Sequence, residues 1–312
     1  MPNGSAELTE KIRENIYKVF VGKPQVVDLS LCCLLAGGHI LLEDVPGVGK
    51  TTLALPLAHS VECSFGRVSF SPDTLPSDIT GLSVYDQVSK RFEFKPGPVM
   101  NNFFLADEIN RTPPKTQSAL LEVMQEKKVT ADGAVYPIEG IFMVIATQNP
   151  IEFTGTYPLP EAQLDRFMMK LSVGYPSKDD ELKLAGMFME GREAGKLTGV
   201  CSSADIEKLQ LLTKEVKVSD KVLGYIYNIV DATRKEKRFV TGASPRAMLA
   251  LIRAVQAHAL MDGRDWAKPD DVKALFVPVL LHRLALSVEA RMAHEDPESV
   301  LRGLVSRVEV PV

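Results

Sequence analysis

Long hydrophobic runs are missing from this 312-residue chain. No stretch reaches the roughly 18 uninterrupted apolar residues that a membrane-crossing helix requires. "LSLCCLLAGGHILL" comes nearest, but Gly37, Gly38 and His39 divide it into a helix end and a strand. The opening "MPNGSAELTEKIRENIYKVF" has no apolar segment of the secretory type. Cysteine is scarce: Cys32, Cys33, Cys63 and Cys201 show no CxxC spacing, and none of the five histidines forms an HExxH pair. A metal cluster or disulfide framework is therefore not expected, and reduced thiols in a soluble, cytoplasmic protein are. Surplus positive charge is also lacking, with a net charge of −4 and a pI near 5.8. That disfavours a dedicated binder of phosphodiester backbones. No repeat of about 20–50 residues is visible, so a solenoid is unsupported.

Apolar residues make up 45% and charged residues 24%, ordinary values for a globular chain long enough for one large or two ordinary domains. Five short β-type runs fall in the first 175 residues: 39–43, 67–70, 102–108, 141–147 and 167–173. Most are almost continuously apolar, as in parallel strands covered on both faces. Helical patterns at 51–60 and 115–126 lie between them, which predicts an α/β sheet with right-handed crossovers. After "VGYPSKDDE" the chain reads as helical, over 179–191, 203–213, 219–234, 244–261 and 268–285. A boundary near Pro176 gives domains of 1–177 and 178–312. Residues 178–312 hold 21 Lys and Arg against 20 Asp and Glu, and the first part holds 15 against 20, so neither part is basic.

The chemistry starts at "LLEDVPGVGKTT" (41–52), where a strand runs into a phosphate-loop pattern and then a helix. In such a loop Pro46 leads into Gly47, Val48 and Gly49, whose backbone N–H groups come to the phosphates at a helix N-terminus. Lys50 would neutralise the outer phosphates, the Thr51 hydroxyl would ligate Mg²⁺, and Thr52 continues the helix start. The first glycine of the usual pattern is Asp44 here. A carboxylate aimed into the phosphates would cost about 1 kcal/mol in water at about 4 Å, and more in a drier cleft. Asp44 is therefore expected to end the strand and point away.

"NNFFLADEIN" ends an apolar strand in Asp107 and Glu108, at the sheet edge where open α/β folds take ligands. Asp107 would hold Mg²⁺ and Glu108 would orient and deprotonate an attacking water. A later strand ends in Gln148 and Asn149, and Asn149 is either a γ-phosphate contact or only a turn residue before Pro150. Arg166, before the fifth strand, is either an arginine finger or one partner of a surface ion pair with Asp165 or Glu161. In "TGASPRAML", Ser244 is a plausible N-cap and Pro245 the first turn. Arg246 just inside opposes the helix dipole and so requires an anion, either nucleotide or a salt-bridge partner.

This ordered set resembles the AAA+ ATPases, and within them the MoxR family. "FSPDTLPSDITG", "ADEINRTPPKTQSALLEVMQE", "VIATQNPIEFTGTYPLPEAQLDRF" and "GASPRA" are similar to that family's motifs, and the resemblance extends from about Val21 to His282. It implies a five-stranded parallel P-loop nucleotide-binding domain followed by an all-helical lid, with ATP and Mg²⁺ between them. Asn149 would be sensor 1, Arg166 a finger acting in trans, and Arg246 sensor 2. Val21 and Gly22 match the adenine-contacting segment, with Gln25 beside them. The family's β insertion fits residues 81–97, and a hairpin before sensor 1 fits "VTADGAVYPI" (129–138), with Asp132-Gly133 as its turn. Both hairpins would face a central pore.

The function implied is ATP hydrolysis by a homo-oligomer, a ring of about six subunits. The work would be chaperone-like: remodelling, maturation, or cofactor or metal insertion in a client such as a separate von Willebrand factor A domain protein. A magnesium-chelatase-like subunit is a close variant. A nucleic-acid motor is the second class, with "RKEKR" (234–238) as the one basic cluster. A small-molecule P-loop kinase is the third, and it leaves Asn149, Arg166 and the lid unexplained.

Overall fold

The computed structural model describes residues 2–43, 50–149, 155–191 and 197–311. Two helices come first, α1 (Pro2–Tyr17) and α2 (Pro24–Leu35). Strand β1 (Ile40–Glu43) then leads to α3 (Lys50–Ser60) and β2 (Phe65–Ser69). A short helix α4 (Pro76–Thr80) carries a hairpin of β3 (Gly81–Asp86) and β4 (Arg91–Pro96). β5 (Phe103–Asp107) is followed by α5 (Pro114–Glu126) and a second hairpin, β6 (Lys128–Ala131) and β7 (Ala134–Pro137). β8 (Met143–Gln148), α6 (Glu161–Leu164) and β9 (Met169–Leu171) complete the first part.

Five strands form one parallel sheet in the order β2-β5-β8-β1-β9. These are the five runs expected from the sequence, with ends moved by two residues or fewer. Side chains alternate across the sheet, as the two-residue strand period requires. Leu41, Phe104, Ala106, Val144 and Ala146 face α5 and one apolar cluster. Ile40, Leu42, Phe103, Leu105, Met143 and Ile145 face the other. His39 pins the entry to β1. Its Nδ1 accepts from the Val144 N–H at 2.9 Å and its Nε2 donates to the Met124 carbonyl at 3.1 Å, a neutral arrangement that burial favours by pushing the pKa down to about 4.

Both hairpins are present. In the second, Asp132 and Gly133 have φ of 51° and 77°, the left-handed pair that a two-residue turn needs. The hairpins touch through Phe94 stacked on Tyr136, with ring centroids 3.9 Å apart. At the base of the first, Gly81 has φ +94° and a Cβ there would lie 2.2 Å from the Lys95 carbonyl oxygen.

From Lys178 onward the described chain is helical apart from one small ribbon. The helices are α7 (Lys178–Met189), α8 (Ser203–Glu215), α9 (Asp220–Lys235), α10 (Pro245–Met261), α11 (Pro269–Leu280), α12 (Val288–Met292) and α13 (Pro297–Val305). β10 (Phe239–Thr241) pairs antiparallel with β11 (Ala285–Leu286). The helix expected over 268–285 thus stops at Leu280, because Leu281–Arg283 form a tight 3₁₀ turn that feeds this ribbon. α10 packs on α1 and α2, so one cluster runs without a break from Ile12 and Cys32 to Leu251, Ala254 and Leu275. Cys32 donates to the Ala254 carbonyl, and Gln210 to that of Leu34. Among the described residues no helix is long and apolar enough to cross a membrane.

Candidate functional site

The carboxyl edge of the sheet gathers the polar residues. β1 ends in Glu43, β5 in Asp107, β8 in Gln148, and α3 starts at Lys50. Asp44, Pro46, Gly47, Val48 and Gly49 lie outside the described residues, as do the side chains of Lys50, Thr51 and Thr52. The backbone on either side is a strand and then a helix N-terminus, which offers unpaired N–H groups toward that edge.

Asp107 and Glu108 sit beside the tip of β8. The Thr147 hydroxyl, fully buried, donates to Asp107 Oδ1 at 2.7 Å and accepts from the Glu108 N–H at 2.8 Å. One side chain therefore fixes both members of the acidic pair. Glu108 is left-handed, with φ 60°, a conformation that turns the chain sharply after the strand. Each carboxylate has its own arginine. Arg67 Nη2 lies 2.8 Å from Asp107 Oδ2, and Arg111 Nε lies 3.0 Å from Glu108 Oε2.

Asn149 is buried, and its carbonyl accepts from Asn110 Nδ2 at 3.2 Å. Asn110 Oδ1, also buried, accepts nothing among the described residues. Glu43 is shared between Gln148 and Lys170. Hard oxygen donors at this edge, with cations already drawn onto them, suit a magnesium nucleotide.

Val21 and Gly22 come just before Lys23, the N-cap of α2. The start of α2 opens on a cavity of about 320 Å³ lined by Lys23, Gln25, Val26 and Leu29, Glu43 and Leu171 at the strand ends, and Val277 of α11. Lys170, Lys273, Glu298 and Arg302 line it as well, so apolar and charged side chains share its wall, and Val21 and Gly22 are not among them.

Arg166 is placed elsewhere. It is half-buried beside Glu122 and Glu126 of α5, in a cleft that contains none of Glu43, Asp107, Glu108 or Asn149. No ion pair of Arg166 is found among the described residues. The alternative partner, Asp165, is engaged by other groups: Arg283 Nε at 3.3 Å, Ser244 Oγ at 3.2 Å and Arg246 Nη1 at 3.9 Å. Ser244 also caps α10 by accepting from the Ala247 N–H at 3.0 Å, as its position in the sequence suggests. Arg246 therefore has its anion in Asp165, at long range and half exposed. Arg283 is buried, and burial brings its pKa down to about 10 while Asp165 opposes the shift.

Residues 234–238 are largely occupied by internal contacts. Lys235 pairs with Asp231, Arg238 with Glu236 and Glu295, and Arg234 donates to the Ala243 carbonyl. His258, Asp262 and Asp271 also lie close enough together for a metal ion. Arg264 already bridges both acids, at 2.6 Å from Asp271 and 3.0 Å from Asp262, so the cluster is an ion-pair network.

Sequence reasoning missed Arg67, Arg111, Thr147, Glu43 and Arg283. Thr147 stands directly before the noted Gln148 and Asn149, and Arg111 follows the acidic pair by three and four residues. Arg67 and Arg283 carry no local signal and are brought in by the sheet and the lid.

Comparison with known proteins bears on the family and the fold. Residues 39–169 match the profile of the ATPase family associated with various cellular activities (AAA), and residues 231–304 match an AAA lid domain. The YeaC protein of Bacillus subtilis is 48% identical over 98% of this chain and 95% of its own. Chaperone MoxR1 of Mycobacterium tuberculosis is 42% identical over 95% and 80%, and protein MoxR of Methylorubrum extorquens 28% identical over 99% and 98%. A solved structure of a protein from Cytophaga hutchinsonii superposes with a TM-score of 0.92 at 36% identity, covering 100% of this chain and 97% of that one.

Proposed function

Since this chain belongs to the MoxR family of AAA+ ATPases, we propose that it hydrolyses ATP in a ring of its own copies and uses the cycle to remodel or mature a client protein. Residues 1–177 are the nucleotide-binding unit and 178–312 the lid. The observation that carries the reading is Thr147, whose hydroxyl ties Asp107 and the Glu108 backbone to the strand tip bearing Asn149.

In this reading the loop from Pro46 to Thr52 wraps the phosphates, with Lys50 on the outer ones. Val21 and Gly22, with the cavity at the start of α2, receive adenine. Thr51 and Asp107 would hold Mg²⁺, which supplies charge neutralisation on the phosphates when bound. Glu108 takes the proton of the attacking water, and Asn149 positions that water against the γ-phosphate. Arg246 contacts nucleotide from the lid. Arg166, which lines a cleft with Glu122 and Glu126, reaches the site of the neighbouring copy. The client is a separate protein, with one carrying a von Willebrand factor A domain as the first candidate, and the setting is cytoplasmic.

Glu108→Gln should keep ATP affinity while slowing hydrolysis by about 10²–10⁴-fold, the range a positioned general base contributes. Lys50→Ala should lose nucleotide binding in an equilibrium assay with a fluorescent ATP analogue; an unchanged affinity sinks the assignment of the loop.

A further inference from the structure

Asp107 is held at both carboxylate oxygens, and the two holds differ in kind. Oδ1 takes the hydroxyl of fully buried Thr147. Oδ2 takes one nitrogen of Arg67, whose side chain is 46% exposed. An ion pair made through a single nitrogen of a half-exposed arginine is weak, whereas a divalent cation on a carboxylate interacts far more strongly. The hold through Arg67 is the one that yields.

We propose that Arg67 is an exchangeable counter-cation. It occupies Asp107 Oδ2 while the site holds no metal, and it is released when Mg²⁺ engages Asp107, directly or through water. This rests on the reading of the site as one for magnesium nucleotide. Two consequences follow from charge alone. Without metal, Arg67 screens the phosphates from Asp107, so metal-free nucleotide is tolerated. With metal, breaking the Arg67–Asp107 pair subtracts from the gain, so the coupling between Mg²⁺ and nucleotide is weaker than an unpaired carboxylate would give. Arg67 also sits three residues before Phe70, whose N–H donates to the Asp107 carbonyl at 2.8 Å. The exchange thus takes place where the chain leaves β2 for α4 and the first hairpin.

The test is the ratio of affinities for a fluorescent non-hydrolysable ATP analogue in excess Mg²⁺ and in EDTA. Measured on the full chain, that ratio should rise about fivefold or more in Arg67→Ala, from weaker metal-free and unweakened metal-bound binding. Arg67→Lys, which keeps the charge, should remain within about twofold of the unaltered chain. Thermal melts of all three verify that β2 is intact. A ratio that is unchanged or lower in Arg67→Ala overturns the exchange while leaving the nucleotide site standing. Absence of analogue binding to the unaltered chain in either condition overturns both.

Discussion

Thr147 occupies the place where the loss of one hydroxyl has the largest local effect. Thr147→Val keeps the shape but leaves the Glu108 N–H without its acceptor and frees Asp107 Oδ1. The expected cost is about 1–3 kcal/mol in urea unfolding, together with slower ATP turnover, and Thr147→Ser should restore most of both. Asp165 is a second such position, because it is the counter-ion of buried Arg283. Asp165→Ala should destabilise by about 3 kcal/mol, the scale for stranding a buried charge, and a change under about 0.5 kcal/mol would refute that role. Two histidines set an acid limit. Burial brings His39 down to about 4, and burial together with the Arg283 charge brings His282 to about 3, both from 6.5. Folded-state values below the ordinary one stabilise fully above pH 6.5 and lose that contribution as pH falls toward 4 and 3. The urea midpoint should therefore decline from about pH 6.5 downward, and His39→Gln, which can both donate and accept, should flatten the decline.

The hairpin that leaves α4 depends on close backbone approach at its root. Gly97 donates to the Thr80 carbonyl, and a Cβ on Gly97 would lie 2.2 Å from the Ile79 carbonyl oxygen. Gly81→Ala or Gly97→Ala should therefore cost about 1–3 kcal/mol in thermal unfolding, more than substitution at the exposed tip residue Val88. Much at this scale was legible in the sequence. Parallel strands buried on both faces appear as continuous apolar runs, and Asp132-Gly133 names its own turn. The helix end at Leu280 was not legible, because "PVLLHRLAL" continues an apolar pattern while the chain turns to pair Ala285 and Leu286 with β10. The partners of Asp107 and Asp165 were hidden for a related reason. Arg67 and Arg283 lie 40 and 118 residues away, and only the register of β2 on β5 and the docking of the lid bring them near. Asp107, Glu108 and Asn149 could be noted from the sequence because each stands at or just past the end of an apolar strand.

For the whole molecule, an arginine finger that acts from the neighbouring copy, as proposed for Arg166, predicts activity that depends on assembly. ATP turnover per subunit should rise steeply with protein concentration. Mixtures of Glu108→Gln and Arg166→Ala subunits should regain activity through junctions that pair an intact acid with an intact arginine, and mixtures inactive at every ratio would refute the shared site. The cluster that joins α1 and α2 to α10 bears on something else, the ways in which this protein can be taken apart. Its seam crosses the point at which the motifs divide the chain, so a fragment starting at Lys178 would lose the contacts of Ala254 and Leu260 with Cys32 and Ser5 and bare apolar surface on α10, and α1 and α2 would be bared in turn. Neither half is a ready-made module. The halves should be recoverable only when co-expressed, and the intact chain should melt in one calorimetric transition with no separate lid peak.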